Sequence, residues 1–419
     1  MRMEIAGRIW PGFGHRLMPL ESAACLGSWR CLPPTPDGFQ FFICNNQKQP
    51  KNCEPMKTLK LKKLIAAGLL LAGAAFTPNL RANVEVFLEG GSASQSVIYD
   101  RATNFFAGGT LTVKGGGSAA VAQFSGTSTN PAVSGYGTIT LDINLNNGAV
   151  DGLQALVSQS PGPADTNYSS GTLTPQVPTF VDSATTPDVV GISSAGLTPL
   201  PTYVVPLVYI KNTNSADTAA ITNLTQRQAW SLENSTLQAA YFGSSSTNYI
   251  YFVGRNNEAA VRTEIDLNIY NTQTINTYYT NSLGQPVLDV SADPGLTAGG
   301  AVANTVLVLT NSIGTVAVQN IKKGLAPLAY EGVPYSVTNV INGSYPLWGY
   351  ENYYYITSGT GTPSGPQLAV INTFYQSVTN AAFQSTSPVF VGNFIPNASL
   401  KVSRGSDGGQ ITPLPGFFQ

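Results

Sequence analysis

The segment Val84-Glu85-Val86-Phe87-Leu88-Glu89-Gly90-Gly91-Ser92-Ala93-Ser94 narrows the choice of fold more than any other part of the chain. Val84, Val86 and Leu88 alternate as a strand requires. Gly90 and Gly91 permit a sharp turn, and Ser92 or Ser94 can open a helix whose inner face carries Ile98, Ala102, Phe105 and Phe106. A strand that turns on glycine into a helix aims unpaired backbone N–H groups at one point, which favours an anion. The same pattern also serves an ordinary strand–helix turn.

Strands and helices alternate through the rest of the chain, which predicts an α/β layered fold. Strands are expected at 138–145, 189–192, 203–210, 249–253, 305–309, 314–318, 337–341 and 353–356. Pro206 marks the strand around it as an edge or a crossing segment. Helices are expected at 149–158, at 225–232 capped by Thr225, around Val261 and Ile265, and from Leu368 to Ala382. Residues 159–187, rich in Pro, Ser and Thr, read as a long surface loop. Glu258 and Arg262, four apart, read as a helical ion pair. Stray acidic pairs such as Asp142 and Asp151 read as solvated.

Residues 56–82 have the parts of a secretory signal peptide. Met56 to Lys63 is basic, Leu64 to Phe76 is apolar and uncharged, and Leu80-Arg81-Ala82 precedes the cleavage point. The apolar run is shorter than the roughly 20 residues that span a bilayer. Residues 1–55 are expected to be a non-native or unstructured extension. Cys25, Cys31, Cys44, Cys53 and the single histidine, His15, all lie within them. From Asn83 on there is neither Cys nor His, which excludes disulfides, thiolate or imidazole metal sites and Ser–His or Cys–His nucleophile pairs there. The same region holds 10 Lys and Arg against 18 Asp and Glu, a net charge of −8, which disfavours nucleic acid. Its length predicts two lobes.

Several segments together resemble the phosphate-binding-protein family, the two-lobed periplasmic receptors of ABC importers. They are Phe87–Ser94; Thr222-Asn223-Leu224-Thr225-Gln226-Arg227-Gln228-Ala229-Trp230; Val253-Gly254-Arg255-Asn256-Asn257-Glu258-Ala259-Ala260-Val261; Ile341-Asn342-Gly343-Ser344-Tyr345-Pro346-Leu347-Trp348-Gly349-Tyr350; and the tail Val402–Gly409. The resemblance implies a type II periplasmic-binding-protein-like fold, with mixed sheets flanked by helices and the lobes joined by two crossovers. The expected division is lobe 1 at 83–210 and 326–419, and lobe 2 at 211–325. It also implies an oxyanion held by Ser92, Ala93, Ser94, Ser194, Arg255, Asn256 and Asn257. Arg255 suits a bidentate contact. The chain departs from the family pattern at Ala149, Ala259 and Val261, where hydroxyl donors are missing, and at Ser194, which stands where the family has Asp.

The resulting expectation is an exported, periplasmic or extracellular, monomeric solute-binding protein. It takes a phosphate-like oxyanion, serves an ABC-type permease, and needs no cofactor or metal. The alternative is a non-catalytic surface or structural protein on the same fold with a degenerate pocket. Hydrolysis is disfavoured, because no pair of acidic residues forms a recognisable motif.

Overall fold

In the computed structural model, residues 81–115, 121–146, 148–162, 165–169 and 172–417 are described. The expected extension (1–55) and all but the last two residues of the expected signal peptide (56–82) lie outside them. Among the described residues no helix is long and apolar enough to cross a membrane.

The fold is mixed α/β, built on one 12-stranded mixed sheet. Its strands, in chain order, are β1 (Val84–Gly90), β2 (Thr112–Gly115), β3 (Val121–Gly126), β4 (Ile139–Asn144), β5 (Phe180–Ser183), β6 (Leu197–Asn212), β7 (Leu237–Gln238), β8 (Tyr249–Val253), β9 (Ser312–Ala317), β10 (Leu325–Pro327), β11 (Trp348–Ile356) and β12 (Ile395–Pro396). They run β7-β8-β9-β6-β11-β5-β1-β4-β3-β2 across the sheet, with β10 and β12 also paired to β6. The neighbours of β1, namely β4 and β5, are parallel to it, and β8 is parallel to β9. Six helices concern the argument: α1 (Gln95–Asn104), α2 (Ala149–Ser158), α3 (Gln226–Asn234), α4 (Ala260–Ile269), α5 (Gly299–Val308) and α6 (Gly365–Val378). Thr225 and Gln228 form the capping box that opens α3, and Ser364 and Gln367 form the one that opens α6. One apolar core runs through the whole sheet, from Val84 to Val402.

β6 is the longest strand and changes partners along its length. Residues 197–206 pair with β11 and residues 207–211 with β9. Pro206 sits at the change, where a missing N–H costs least. It thus marks a crossing segment inside the sheet. The expected lobe boundaries fall near the end of β6 and within β10.

Several sequence expectations are corrected. Residues 187–190 form a 3-10 turn, not a strand. Thr305–Leu309 was expected as a strand because Thr-Val-Leu-Val favours one, but it forms the end of α5, whose Val302, Ala303 and Val306 pack inward. Val337–Ile341 is a short helix capped by the Ser336 hydroxyl. The expected loop 159–187 contains a small hairpin (Thr166–Ser169 with Thr172–Pro175) and the fully buried β5 at the centre of the sheet. Asp142 is fully buried, bonded to Gln123 Nε2 at 2.8 Å, and not solvated. Burial, as the main cause, pushes its carboxyl up to about 7. Arg262 pairs with Asp266 at 3.3 Å instead of with Glu258.

Candidate functional site

β1 ends where its neighbours press closely. A Cβ on Gly90 would lie 2.7 Å from the carbonyl oxygen of Asp182, so only glycine lets β5 approach. The chain then turns through a 3-10 segment, Ser92–Ser94, into α1, and all three residues are buried. No side chain caps this turn. The same holds at the starts of α2, after Gly148, and of α4, after Ala259. Alanine and glycine there leave the first-turn N–H groups uncapped by side chains.

These three helix starts meet around one cavity of about 10 Å³. Gly91 and Ala93 come from the β1–α1 turn, Ala149 from α2, and Ala259, Ala260 and Val261 from α4. Gly148 holds two of the helix starts together. Its φ is +105°, and the Val150 N–H donates to the Glu258 carbonyl at 3.1 Å. The convergence turns first-turn N–H groups of three helices toward the cavity, one of which, Val150 N–H, is taken by the Glu258 carbonyl.

Arg255 adds a formal charge. Its side chain is buried, with Nε donating to the Leu296 carbonyl (2.9 Å) and Nη2 to the Thr297 carbonyl (2.7 Å). Nη1 lies 3.5 Å from Ser92 Oγ, which also accepts from the Gly299 N–H at 3.1 Å. Ser92 therefore ties the first turn to Arg255 and to the start of α5. Desolvation lowers the Arg255 pKa to about 10, which leaves it charged at neutral pH.

The opposite wall is acidic. Glu351 from β11 lines the cavity, and Asp182 from β5 lies beside it; both are buried. Burial, with the nearby Glu351 charge, holds Asp182 well above the usual carboxylate range. Burial also pushes Glu351 up to about 7, against the nearby Ser94 hydroxyl and Asp182 carboxyl, which favour its ionised form. Neither Asp182 oxygen has a hydrogen-bond partner among the described residues, so the pair is held by proximity in the buried sheet and favours a shared proton. The ring oxygens of Tyr203 and Tyr353, also buried, complete this polar cluster.

The structure brings Ser92, Ala93, Ser94 and Arg255 of the expected site together. Asn256 lies next to them and is buried, with its N–H on the Leu296 carbonyl. Asn257 faces outward and its N–H donates to Asp293 Oδ1 at 2.7 Å. Ser194 is exposed elsewhere, its hydroxyl donating to Asp188 Oδ2 at 2.7 Å. Ala149, Ala259 and Val261 line the cavity where hydroxyls were missed. Sequence reasoning overlooked Asp182 and Glu351. The signal was present: each is a lone carboxylate within a buried strand, Phe180-Val181-Asp182-Ser183 and Tyr350-Glu351-Asn352-Tyr353.

Solved structures with a similar chain path include a protein described as a phosphate ABC transporter substrate-binding protein of Clostridium perfringens with bound phosphate. It is 13% identical, covers 74% of this chain and 99% of that one, and has a TM-score of 0.49. An ABC-type phosphate transport receptor of Vibrio cholerae is 12% identical, covers 72% and 97%, and has a TM-score of 0.45. A phosphate binding protein of Stenotrophomonas maltophilia is 13% identical, covers 71% and 84%, and has a TM-score of 0.41. No family model matches the chain, and no curated protein does.

Proposed function

We propose that the protein is a non-catalytic, exported solute receptor that holds a small, protonated oxyanion of the phosphate type at the cavity between Ala93, Ala260, Arg255 and Glu351. The observation that carries this reading is the meeting of three uncapped helix starts and a buried guanidinium at one point. The Glu351 carboxylate would accept the ligand's O–H. Residues 83–210 with 326–419, and 211–325, are proposed as two lobes that part about β6 near Pro206. Parting is needed because about 10 Å³ holds no more than one water-sized group. Closure on the ligand would then be read by an ABC-type permease.

Thermal unfolding of the purified protein tests the reading. Phosphate, arsenate, sulfate and molybdate are titrated in turn. At 100 times its Kd a ligand adds about 2.7 kcal/mol of stability, which raises the melting temperature measurably. The shift is expected with phosphate or arsenate near pH 7, where the singly protonated ligand and the ionised Glu351 carboxylate coexist, and should vanish in Arg255→Lys. No shift with any of the four would overturn the reading.

A second reading is favoured by the lining itself. Ala149, Ala184, Ala259 and Ala260 supply methyls where an anion needs donors, and Arg255 already serves two carbonyls. Each missing bond to a charged ligand weakens binding by about 1.5–3 kcal/mol. On this view the protein is a surface or structural protein with a closed pocket. Cell fractionation separates the two: release with periplasmic contents supports the receptor, and retention on the cell surface supports the structural role.

A further inference from the structure

Three acidic side chains meet where β1, α2 and the loop after α2 converge. Glu89 comes from β1, Asp151 from the first turn of α2, and Asp165 from the loop just ahead of the small hairpin. One carboxylate oxygen from each lies within 4.8 Å of the other two. Glu89 and Asp165 are fully buried, and Asp151 is half-buried. Gly152 allows the meeting. A Cβ there would lie 2.8 Å from Glu89 Cγ, so glycine lets α2 settle against the Glu89 side chain.

Asp165 carries the sharper signal. The Gly162 N–H donates to its Oδ2 at 2.6 Å, and the Gln176 N–H to its carbonyl at 2.9 Å, so the residue is held in place. Oδ1 is shielded from solvent and accepts no hydrogen bond among the described residues. Neither Asp151 nor Asp165 has a salt bridge among the described residues. Glu258 adds a further negative charge close enough to act on Asp151. A buried carboxylate oxygen without a donor needs a proton or a cation. One divalent ion would offset all three clustered carboxylates at once.

The donor set is all oxygen, which suits a hard cation. Calcium takes oxygens at about 2.3–2.6 Å, so oxygens up to about 5 Å apart can share one ion. Magnesium, at about 2.0–2.1 Å in a strict octahedron, holds them within about 4.2 Å and keeps several waters. Ligands drawn from a strand, a helix and a loop favour the larger, more tolerant ion. We propose that Glu89, Asp151 and Asp165 together bind one calcium ion, which fastens the hairpin loop to β1 and α2. The lack of Cys and His beyond Asn83 bars thiolate and imidazole sites but not this one. The proposal stands apart from the anion reading, since none of the three residues lines the small cavity.

The test strips the purified full chain with EDTA, titrates it with calcium chloride and with magnesium chloride by calorimetry, and records melting temperatures with EDTA and with calcium. One saturable calcium site and a higher melting temperature with calcium are expected. Asp151→Asn and Asp165→Asn should each weaken calcium binding at least tenfold. With EDTA present, the same variants should melt no lower than the wild type, because each removes a charge from a repelling cluster. Asp188→Asn, at an exposed carboxylate elsewhere, should bind calcium as the wild type does. Any of four results would overturn the proposal: no saturable calcium binding at millimolar concentration, binding undiminished in both cluster variants, magnesium bound as tightly as calcium, or variants that lose as much melting temperature with EDTA as with calcium. The last would mark the carboxylates as structural groups of the metal-free fold.

Discussion

Asp182 and Glu351 bring two carboxyl groups together in the fully buried centre of the sheet, one from β5 and one from β11. Both are held above the ordinary carboxylate range, Glu351 at about 7. Asp142 and Asp151 are likewise raised to about 7, mainly by burial. Asp151 sits in a cluster with Glu89 and Asp165 whose ligand-type oxygens lie within 4.8 Å of one another. A carboxyl whose folded pKa exceeds its unfolded one favours the protonated protein. Its contribution is complete below the unfolded value, near 4.5, and is lost as pH rises through the folded value. The melting temperature is therefore expected to fall between pH 5 and pH 8. The Asp182–Glu351 pair titrates as a unit and contributes on the order of a few kcal/mol to that change. Scanning calorimetry across this range checks it, and Glu351→Gln should flatten the profile. A wild-type profile that rises toward pH 8 would sink the argument.

Arg404 is the second buried charge whose removal has a defined consequence. Its guanidinium lies 3.8 Å from Glu264, and both side chains are almost wholly buried. Burial already holds the Glu264 carboxyl well above the usual carboxylate range, and Arg404→Met would remove the cation that opposes this, leaving a neutralised acid beside Asp407 at a cost of about 1–3 kcal/mol. Adding Glu264→Met removes the stranded acid and should restore much of that loss. Urea unfolding of the single and double variants measures both steps. A double variant no more stable than Arg404→Met would show that the loss comes from the guanidinium's stacking on Trp348 and not from charge.

The parts of the fold that were legible in the sequence were those set by local chemistry. The β1 alternation, the Gly90-Gly91 turn and the Thr225 capping box each depend on neighbours within a few residues. The end of α5 was misread because Thr305-Val306-Leu307-Val308 favours a strand locally, whereas packing over β9 makes it helical. The site divides the same way. Ser92 and Arg255 sit in recognisable turns. Asp182 and Glu351 meet only through the register of β11 against β5, where Tyr353 stands opposite Asp182, and no spacing in the sequence encodes that. Ser194 was misplaced because the loop after β5 turns it outward, onto Asp188.

Gly148 fixes the distance between two of the helix starts, and this gives a sharper test of the cavity than any lining residue. Its φ of +105° is closed to side-chain-bearing residues, and a Cβ there would collide with the Glu258 carbonyl, the acceptor for the Val150 N–H. Gly148→Ala must therefore both strain the backbone and push the start of α2 away from α4. The expected cost is roughly 2–4 kcal/mol. Gly332, with φ +78° and open space where a Cβ would stand, separates the two effects. Gly332→Ala carries the backbone strain alone, about 1 kcal/mol. Chemical denaturation of the two variants gives the comparison. Equal losses would mean that the contact between the α2 and α4 starts is slack, and that the cavity does not depend on it.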